Sequence, residues 1–398
     1  MRDRISHIPD ELLLHILSSK SLQTKDVVAT SVLSKRWRSL WHSIPKLEFD
    51  DLRFGRRYES FLQFVAATLN LVDLKSVKMF VLKCGHFGEY YGKSCDKFDS
   101  WLNTVLKSKL EYLNLWFPIG FDFLIRVPLP STIFKCSSIR ILKLARVNVS
   151  DLSDVNLPSL KTLHLTNVEF PNPESLALLL SKCVRLEELL LLSLEFPDDE
   201  VTKLNIGKLH NLVIAFVPVE LFSMEAISNV TFLRLRKHNV FGDYEFPTFP
   251  VFYNLSHLEI QNGWTSMFSC LPNFPKLETL IIHEGQGRQG LDWLMETSPD
   301  VPLCISSHLK TFALFDFCYL QSEFEIVRFI MKNATVLRSV IIWTGKYSSD
   351  EAVNLRLLEP LSTYPKCSQN CSVFVNAPVE NLYQSVYSKL VSHKDFSY

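Results

Sequence analysis

The stretch "LKTLHLTNVEF", residues 160–170, sets apolar side chains at Leu160, Leu163 and Leu165. The spacing is apolar, two residues, apolar, one residue, apolar. The last two positions alternate, as side chains on one face of a β-strand do. The same spacing recurs along the chain. It begins at Val77, Phe80, Leu82, then Leu110, Leu113, Leu115, and Ile139, Leu142, Leu144. Beyond residue 170 come Leu186, Leu189, Leu191; Leu212, Ala215, Val217; Val230, Leu233, Leu235; and Leu255, Leu258, Ile260. The series ends with Leu277, Leu280, Ile282; Leu309, Phe312, Leu314; and Leu337, Val340, Ile342. First positions run from 77 to 337, so ten steps cover 260 residues, a mean of 26, with single steps from 18 to 33.

That mean lies inside the roughly 20–29 residues of leucine-rich repeats. The expected fold is α/β: an irregular solenoid with one short parallel strand per repeat on the concave face and helices or loops outside. "PESLALLLSKC" (173–183) and "LDWLMETS" (291–298) have helical apolar spacing and are expected outside. The slot that commonly holds Asn or Cys, three residues after the third apolar position, holds Val147, Val168 and Leu194 instead. A generic alternating α/β domain is the competing reading. Eleven in-phase units argue against it, because a doubly wound sheet needs no fixed apolar triple per strand.

If the triples point inward, the residues between and beside them face out. Tyr112, Trp116, His164, Phe232, Arg234, Arg236, His257 and Glu259 are therefore expected on the exposed sheet face, as a candidate protein-binding surface. Asn114, Thr162, Thr166, Gln261 and His283 share it. Aromatic and Arg side chains are the usual hot-spot types. Arg234 and Arg236, with Lys237 beyond, suit an acidic or phosphorylated segment.

The chain has 398 residues and is 47% hydrophobic, so it can bury a large core. Lys+Arg number 42 and Asp+Glu 42. Zero net charge removes the field expected of a dedicated nucleic-acid binder. No uncharged apolar run reaches about 18 residues, so no membrane span is expected. The start, "MRDRISHIPDELLL", has no apolar core of a signal peptide. Nine scattered cysteines fit a reducing compartment, and cytoplasm or nucleus is the expected location.

The first fifty residues read as three short helices. Pro9 opens the first, with Asp10 and Glu11 in its first turn and Leu12, Leu13, Ile16 and Leu17 on one face. Thr24 can cap a second, which carries Val27, Val28, Val32 and Leu33. Ser34 can cap a third, with Trp37, Leu40 and Trp41 on one side and Lys35, Arg36 and Arg38 mostly off it. A unit this small cannot bury so much apolar surface alone, and the surplus must pack on another domain or another protein.

"RISHIPDELLLHILSSKSLQTKDVVATSVLSKRWRSLW" closely resembles the F-box of plant F-box proteins, over about residues 4–45. The resemblance implies docking on a Skp-type adaptor, and through it on a cullin ubiquitin ligase. Carried over residue by residue, adaptor contacts fall on Ile8, Pro9, Leu12, Ile16, Leu17, Val32, Leu33, Trp37 and Trp41. Leu13, Val28 and Leu40 are expected to hold the helices together, with the three basic residues as rim. Ile8 stands where the family often has Leu, and "SSKSLQ" replaces the commoner turn. The drifting repeat resembles the plant F-box/leucine-rich-repeat family. Residues 302–375 resemble the FBD region that often closes such chains, a strand–helix–strand segment with Glu325, Ile330, Asn333 and Ala334 at its helix motif. Its usual Gly is replaced at Gln321 and Ser322. The implied layout is F-box 1–48, linker and first helix 49–75, repeats 76–300, FBD-like region 301–375 and tail 376–398.

Other motifs compete poorly. "GQGRQG" (285–290) is a literal G-x-G-x-x-G between strand and helix, which would make an NAD-binding enzyme. It falls inside the repeat series, however, and a dinucleotide turn should open its domain. Cys84, His86 and Cys95, or Cys367 and Cys371, lack a second pair at zinc spacing. No catalytic residue, metal or cofactor is expected. The implied function is the substrate-recognition subunit of a Skp–cullin–F-box ubiquitin ligase. A repeat-based binding protein outside degradation is the alternative.

Overall fold

Alternation decides which residues become strands. In the computed structural model, Tyr112–Trp116 turns Leu113 and Leu115 to the core and its three other residues to the opposite face. Every residue of the eleven triples is at most 2% exposed. The structure describes residues 5, 7–19, 21–55, 57–85, 97–117, 126–150, 152–197, 203–236, 248–261, 264–283, 301–344 and 359–376, without the side chains of 264–268. The GQGRQG turn, the 291–298 helix, His86, Cys95, Lys237 and the tail beyond 376 lie outside the described residues.

The chain divides into two units, Met1–Ile227 and Ser228–Tyr398. The first begins with α1 (Asp10–Leu17), α2 (Thr24–Ala29) and α3 (Lys35–Leu40). Then come β1 (Lys46–Asp50), α4 (Tyr58–Leu71), β2 (Met79–Lys83), β3 (Tyr112–Trp116), β4 (Val127–Leu129), β5 (Ile141–Ala145) and β6 (Val147–Val149). β7 (Thr162–Thr166), α5 (Pro173–Lys182), β8 (Glu188–Leu192) and β9 (Ile214–Pro218) complete it. β1, β2, β3, β5, β7, β8 and β9 pair in that order, all parallel. The register aligns Leu47, Phe80, Leu113, Leu142, Leu163, Leu189 and Ala215 in one buried column. α5 forms as its sequence predicts: Pro173 sits in its first turn, and the Asn172 carboxamide oxygen accepts from Ser175 N at 2.8 Å.

β1 is a repeat strand that the sequence reading missed. Ile44, Leu47 and Phe49 form its buried triple, so the first strand starts inside the segment assigned to the F-box. The expected linker is also corrected. Asp51 and Tyr58 are buried, and Phe54 packs against Phe61 and Phe64. The Asp51 carboxylate accepts from Gly85 N at 2.6 Å. The helical unit is joined to the sheet by polar bonds as well. The Thr24 hydroxyl, expected to cap α2, instead accepts from Glu48 N at 2.7 Å. Lys46 Nζ donates to the Leu22 carbonyl at 3.1 Å.

The missing Asn ladder has a backbone replacement. Arg146, Asn167 and Ser193, each two residues past a third apolar position, adopt left-handed φ of 52–59°. The turn drives Val147, Val168 and Leu194 into the core. It also lines up a second short parallel ladder. β4 pairs with β6, Asn148 bridges to Glu169, and Glu169 bridges to Glu195. Loop amides that an Asn side chain would satisfy bond here to loop carbonyls, as Glu195 N does to the Val168 carbonyl at 3.0 Å.

The second unit holds β10 (Phe232–Arg236), β11 (His257–Gln261), β12 (Thr279–His283), α6 (Leu303–Ser307), β13 (Thr311–Phe315), α7 (Gln321–Asn333), β14 (Ser339–Ile342) and β15 (Ser372–Val375). Its strands pair in chain order, all parallel. α7 buries Ile326, Val327, Ile330 and Met331, with Ala334 buried at its end. Glu325 lies on its outer side and accepts from Gln321 at 3.1 Å. The carboxylate that organises this region is Glu323, which sequence reading passed over. It is fully buried and accepts from Cys318 N at 3.0 Å and Leu320 N at 2.8 Å. Asp316 and Tyr319, both at left-handed φ, make the turn for which glycine is usual.

Candidate functional site

Two surfaces carry the residues singled out from the sequence. The first lies on the N-terminal helices. α1 buries Leu13 and Leu17, while Leu12 and Ile16, one helical turn apart, stay 55% and 48% exposed. Between α2 and α3, Val32 and Leu33 are 84% and 63% exposed. Pro9 is exposed, and Ile8 and Trp37 are half-buried. Two expected adaptor contacts are corrected. Leu17 and Trp41 are buried, because α1 and the turn after α3 close on each other through them. Leu13 and Leu40 are internal as expected, whereas Val28 is only half-buried. Ile5, which the spacing argument passed over, is another exposed apolar side chain. Its only sequence signal is that it precedes the helix start.

The three basic residues differ. Arg36 Nε donates to Asp10 Oδ1 at 2.7 Å, and its Nη2 reaches both that carboxylate and the Ile8 carbonyl. Lys35 and Arg38 are exposed.

The second surface is the sheet face opposite the core, and half of its expected residues are buried. Tyr112, Trp116 and Arg234 are half-buried, and Arg236 is exposed. His164, Phe232, His257 and Glu259 are buried. The reason is mutual cover between strands about 4.8 Å apart. In the first unit, His164 Nε2 lies 2.6 Å from Glu188 Oε1. Burial lowers the pKa of His164, and the Glu188 hydrogen bond opposes it. In the second unit, the Phe232 and His257 rings stack at 4.1 Å, and His283 stacks on Phe315 at 4.7 Å. Glu259 is fully buried, with Arg234 Nε at 3.2 Å and His283 Nε2 at 2.7 Å. His257 Nε2 is buried without a hydrogen-bond partner. Burial pushes the His257 pKa down to about 4, against the pull of Glu259.

These pairs change what the face offers. The Arg234 charge is offset by Glu259, so an acidic ligand would meet Arg236 as the exposed member of that pair. Farther along, Ile281, Ala313, Phe315 and Ile341 form an apolar cluster with Trp343 against it. The signal was present: "TLIIH", "TFALF" and "SVII" are nearly continuous apolar runs, as expected of strands buried on both faces. Among the described residues, no group of three or more His, Cys, Asp or Glu side chains is placed to hold a metal. No described helix is long and apolar enough to cross a membrane.

The geometry agrees with what known proteins share with this chain. Residues 5–46 match the F-box-like family. Residues 98–207 match the LRR repeats of FBD-associated F-box protein At5g56370, and 298–342 match FBD. Three Arabidopsis thaliana relatives align along nearly their whole length. F-box/FBD/LRR-repeat protein At5g56420 is 27% identical, covering 94% of this chain and 98% of that protein. F-box/FBD/LRR-repeat protein At3g52680 is 29% identical, covering 94% and 93%. F-box/FBD/LRR-repeat protein At4g00160 is 30% identical, covering 89% of both. An N-terminal F-box, a parallel leucine-rich-repeat sheet and a C-terminal FBD region therefore occur here in one order, and the chain belongs to the F-box/FBD/LRR-repeat family.

Proposed function

We propose that the chain is the substrate-recognition subunit of a Skp–cullin–F-box ubiquitin ligase, acting without chemistry of its own in the cytoplasm or nucleus. The F-box-like match supports docking on a Skp-type adaptor in general. The observation that carries the reading is the apolar strip Pro9, Leu12, Ile16, Val32 and Leu33, left exposed on a helical unit that packs Leu13, Leu17, Val27, Leu40 and Trp41 inside. Burying four such aliphatic side chains against a partner contributes about 1.5–3 kcal/mol each at full burial. Association costs on the order of 4–15 kcal/mol, so the strip must act as a whole. The repeats would then hold a target protein through their sheet face, and catalysis would come from proximity to the ubiquitin-charged enzyme. The bonds from Lys46 and Glu48 to the helical unit favour this, since they hold the first repeats at a set position on the F-box.

The test is co-purification of the full-length protein with a Skp-type adaptor and cullin. Wild type is expected to bring down both, and a Leu12→Ala/Trp37→Ala double variant neither. Adaptor binding retained by the double variant would contradict the docking surface.

A further inference from the structure

We propose that Arg36 is a positioning residue for adaptor docking, one that acts by fixing the two halves of the apolar strip relative to each other; the inference rests on the docking reading above. The halves come from separate segments: Pro9, Leu12 and Ile16 on one side, Val32, Leu33 and Trp37 on the other. Leu13, Leu17, Leu40 and Trp41 pack the bodies of these segments together. They do not hold the start of α1. There Pro9 occupies the capping position and offers no side-chain hydrogen bond.

Arg36 supplies that hold. Its guanidinium bonds the Ile8 carbonyl and the Asp10 carboxylate, the residues on either side of Pro9. A planar fork with two differently placed acceptors fixes direction as well as distance. An ammonium is a point charge and cannot do both. The contrast with its neighbours is informative. Among the described residues, the Lys35 and Arg38 side chains make no hydrogen bond or ion pair, although all three lie in the same "SKRWR" run. Placement, more than charge, separates Arg36 from them. The clasp is half-exposed, so it adds little to global stability. Its consequence is local: without it, the start of α1 samples positions in which Pro9 and Leu12 no longer share one surface with Val32 and Leu33.

The experiment measures adaptor dissociation constants and rates for the full-length protein, with thermal unfolding of the same samples. Arg36→Ala is expected to weaken binding about tenfold, mostly in the off-rate, with an unchanged unfolding midpoint. Arg36→Lys is expected to stay close to Arg36→Ala, and Lys35→Ala and Arg38→Ala close to wild type. Asp10→Asn combined with Arg36→Ala should be no worse than Arg36→Ala alone, since both break one clasp. Wild-type affinity in Arg36→Ala, full rescue by Lys, or equal losses in Lys35→Ala would overturn the proposal. Leu12→Asp keeps the two readings apart. If it abolishes binding while Arg36→Ala does not weaken it, docking stands and positioning falls. If Leu12→Asp also binds normally, both fall.

Discussion

The F-box helices and the repeat strands are written in the same apolar residues, and the structure treats them in opposite ways. In the strands, every Leu, Ile, Val, Phe or Ala of the eleven triples is inside. On the helices, Leu12 and Ile16 remain in solvent beside the buried Leu13 and Leu17, and Val32 and Leu33 stay exposed between α2 and α3. A strand in a stacked repeat has neighbours on both sides to cover it. A three-helix unit has few neighbours and spends Leu13, Leu17, Leu40 and Trp41 on packing its own segments together. The apolar residues that remain, Leu12, Ile16, Val32 and Leu33, are exposed, and in the proposed function they belong to an interface. The comparison therefore separates two kinds of hydrophobic residue by what their loss should change.

The largest effect on that comparison should come from Leu163, at the centre of β7. Leu163 is fully buried, so Leu163→Ala leaves a cavity and should lower stability by about 3–4 kcal/mol. Leu12→Ala should change stability by about 0.5 kcal/mol or less. Denaturant titration of both variants checks the pair. Equal losses would erase the distinction between the two regions.

Buried polar groups sharpen the same logic. Glu323 has its carboxylate oxygens satisfied by backbone amides, so Glu323→Gln should cost about 2–3 kcal/mol by leaving an amide unpaired or misaligned. Adaptor affinity should not move, because the residue lies in the other unit. His257 is the smaller case. Its folded pKa of about 4 lies below the ordinary value of 6.5, so the unfolded chain binds the proton more readily between those values. Stability is then full above about pH 6.5 and falls as pH drops toward 4, with about 2 kcal/mol lost between pH 7 and pH 5. His257→Phe should flatten that slope in denaturation curves at the two pH values.

Much of the fold was legible because one signal repeats. A fixed apolar triple names the strand, its inward face and its register at once, and eleven repetitions leave little room for another fold. The first strand escaped because Ile44, Leu47 and Phe49 directly follow the last helical residues, where the helical reading was already in force. The segment 49–75 holds the expected helix, α4, but the burial of Asp51 and Tyr58 was not legible, because sequence order does not show that Gly85 N will meet the Asp51 carboxylate. The sheet face was the least legible. Alternation tells which way His164, His257 and Glu259 point, but not that their neighbours on adjacent strands will cover them. Glu259 is hidden by Arg234 and His283, which come from strands whose pairing must be known first. On the helices, spacing and resemblance named five side chains that the structure leaves exposed: Pro9, Leu12, Ile16, Val32 and Leu33. Leu17 and Trp41 were misplaced because a helical wheel shows a face and not which part of it a neighbour occupies.

The most direct test of the central claim measures affinity and stability on one sample. A Leu12→Asp/Val32→Asp variant of the full-length protein is titrated with a purified Skp-type adaptor, and its thermal unfolding is followed alongside wild type. The account expects adaptor affinity to drop about 100-fold or more, roughly 3 kcal/mol, with an unchanged unfolding midpoint. Wild-type affinity, or a loss of binding that merely follows a loss of folding, would contradict it.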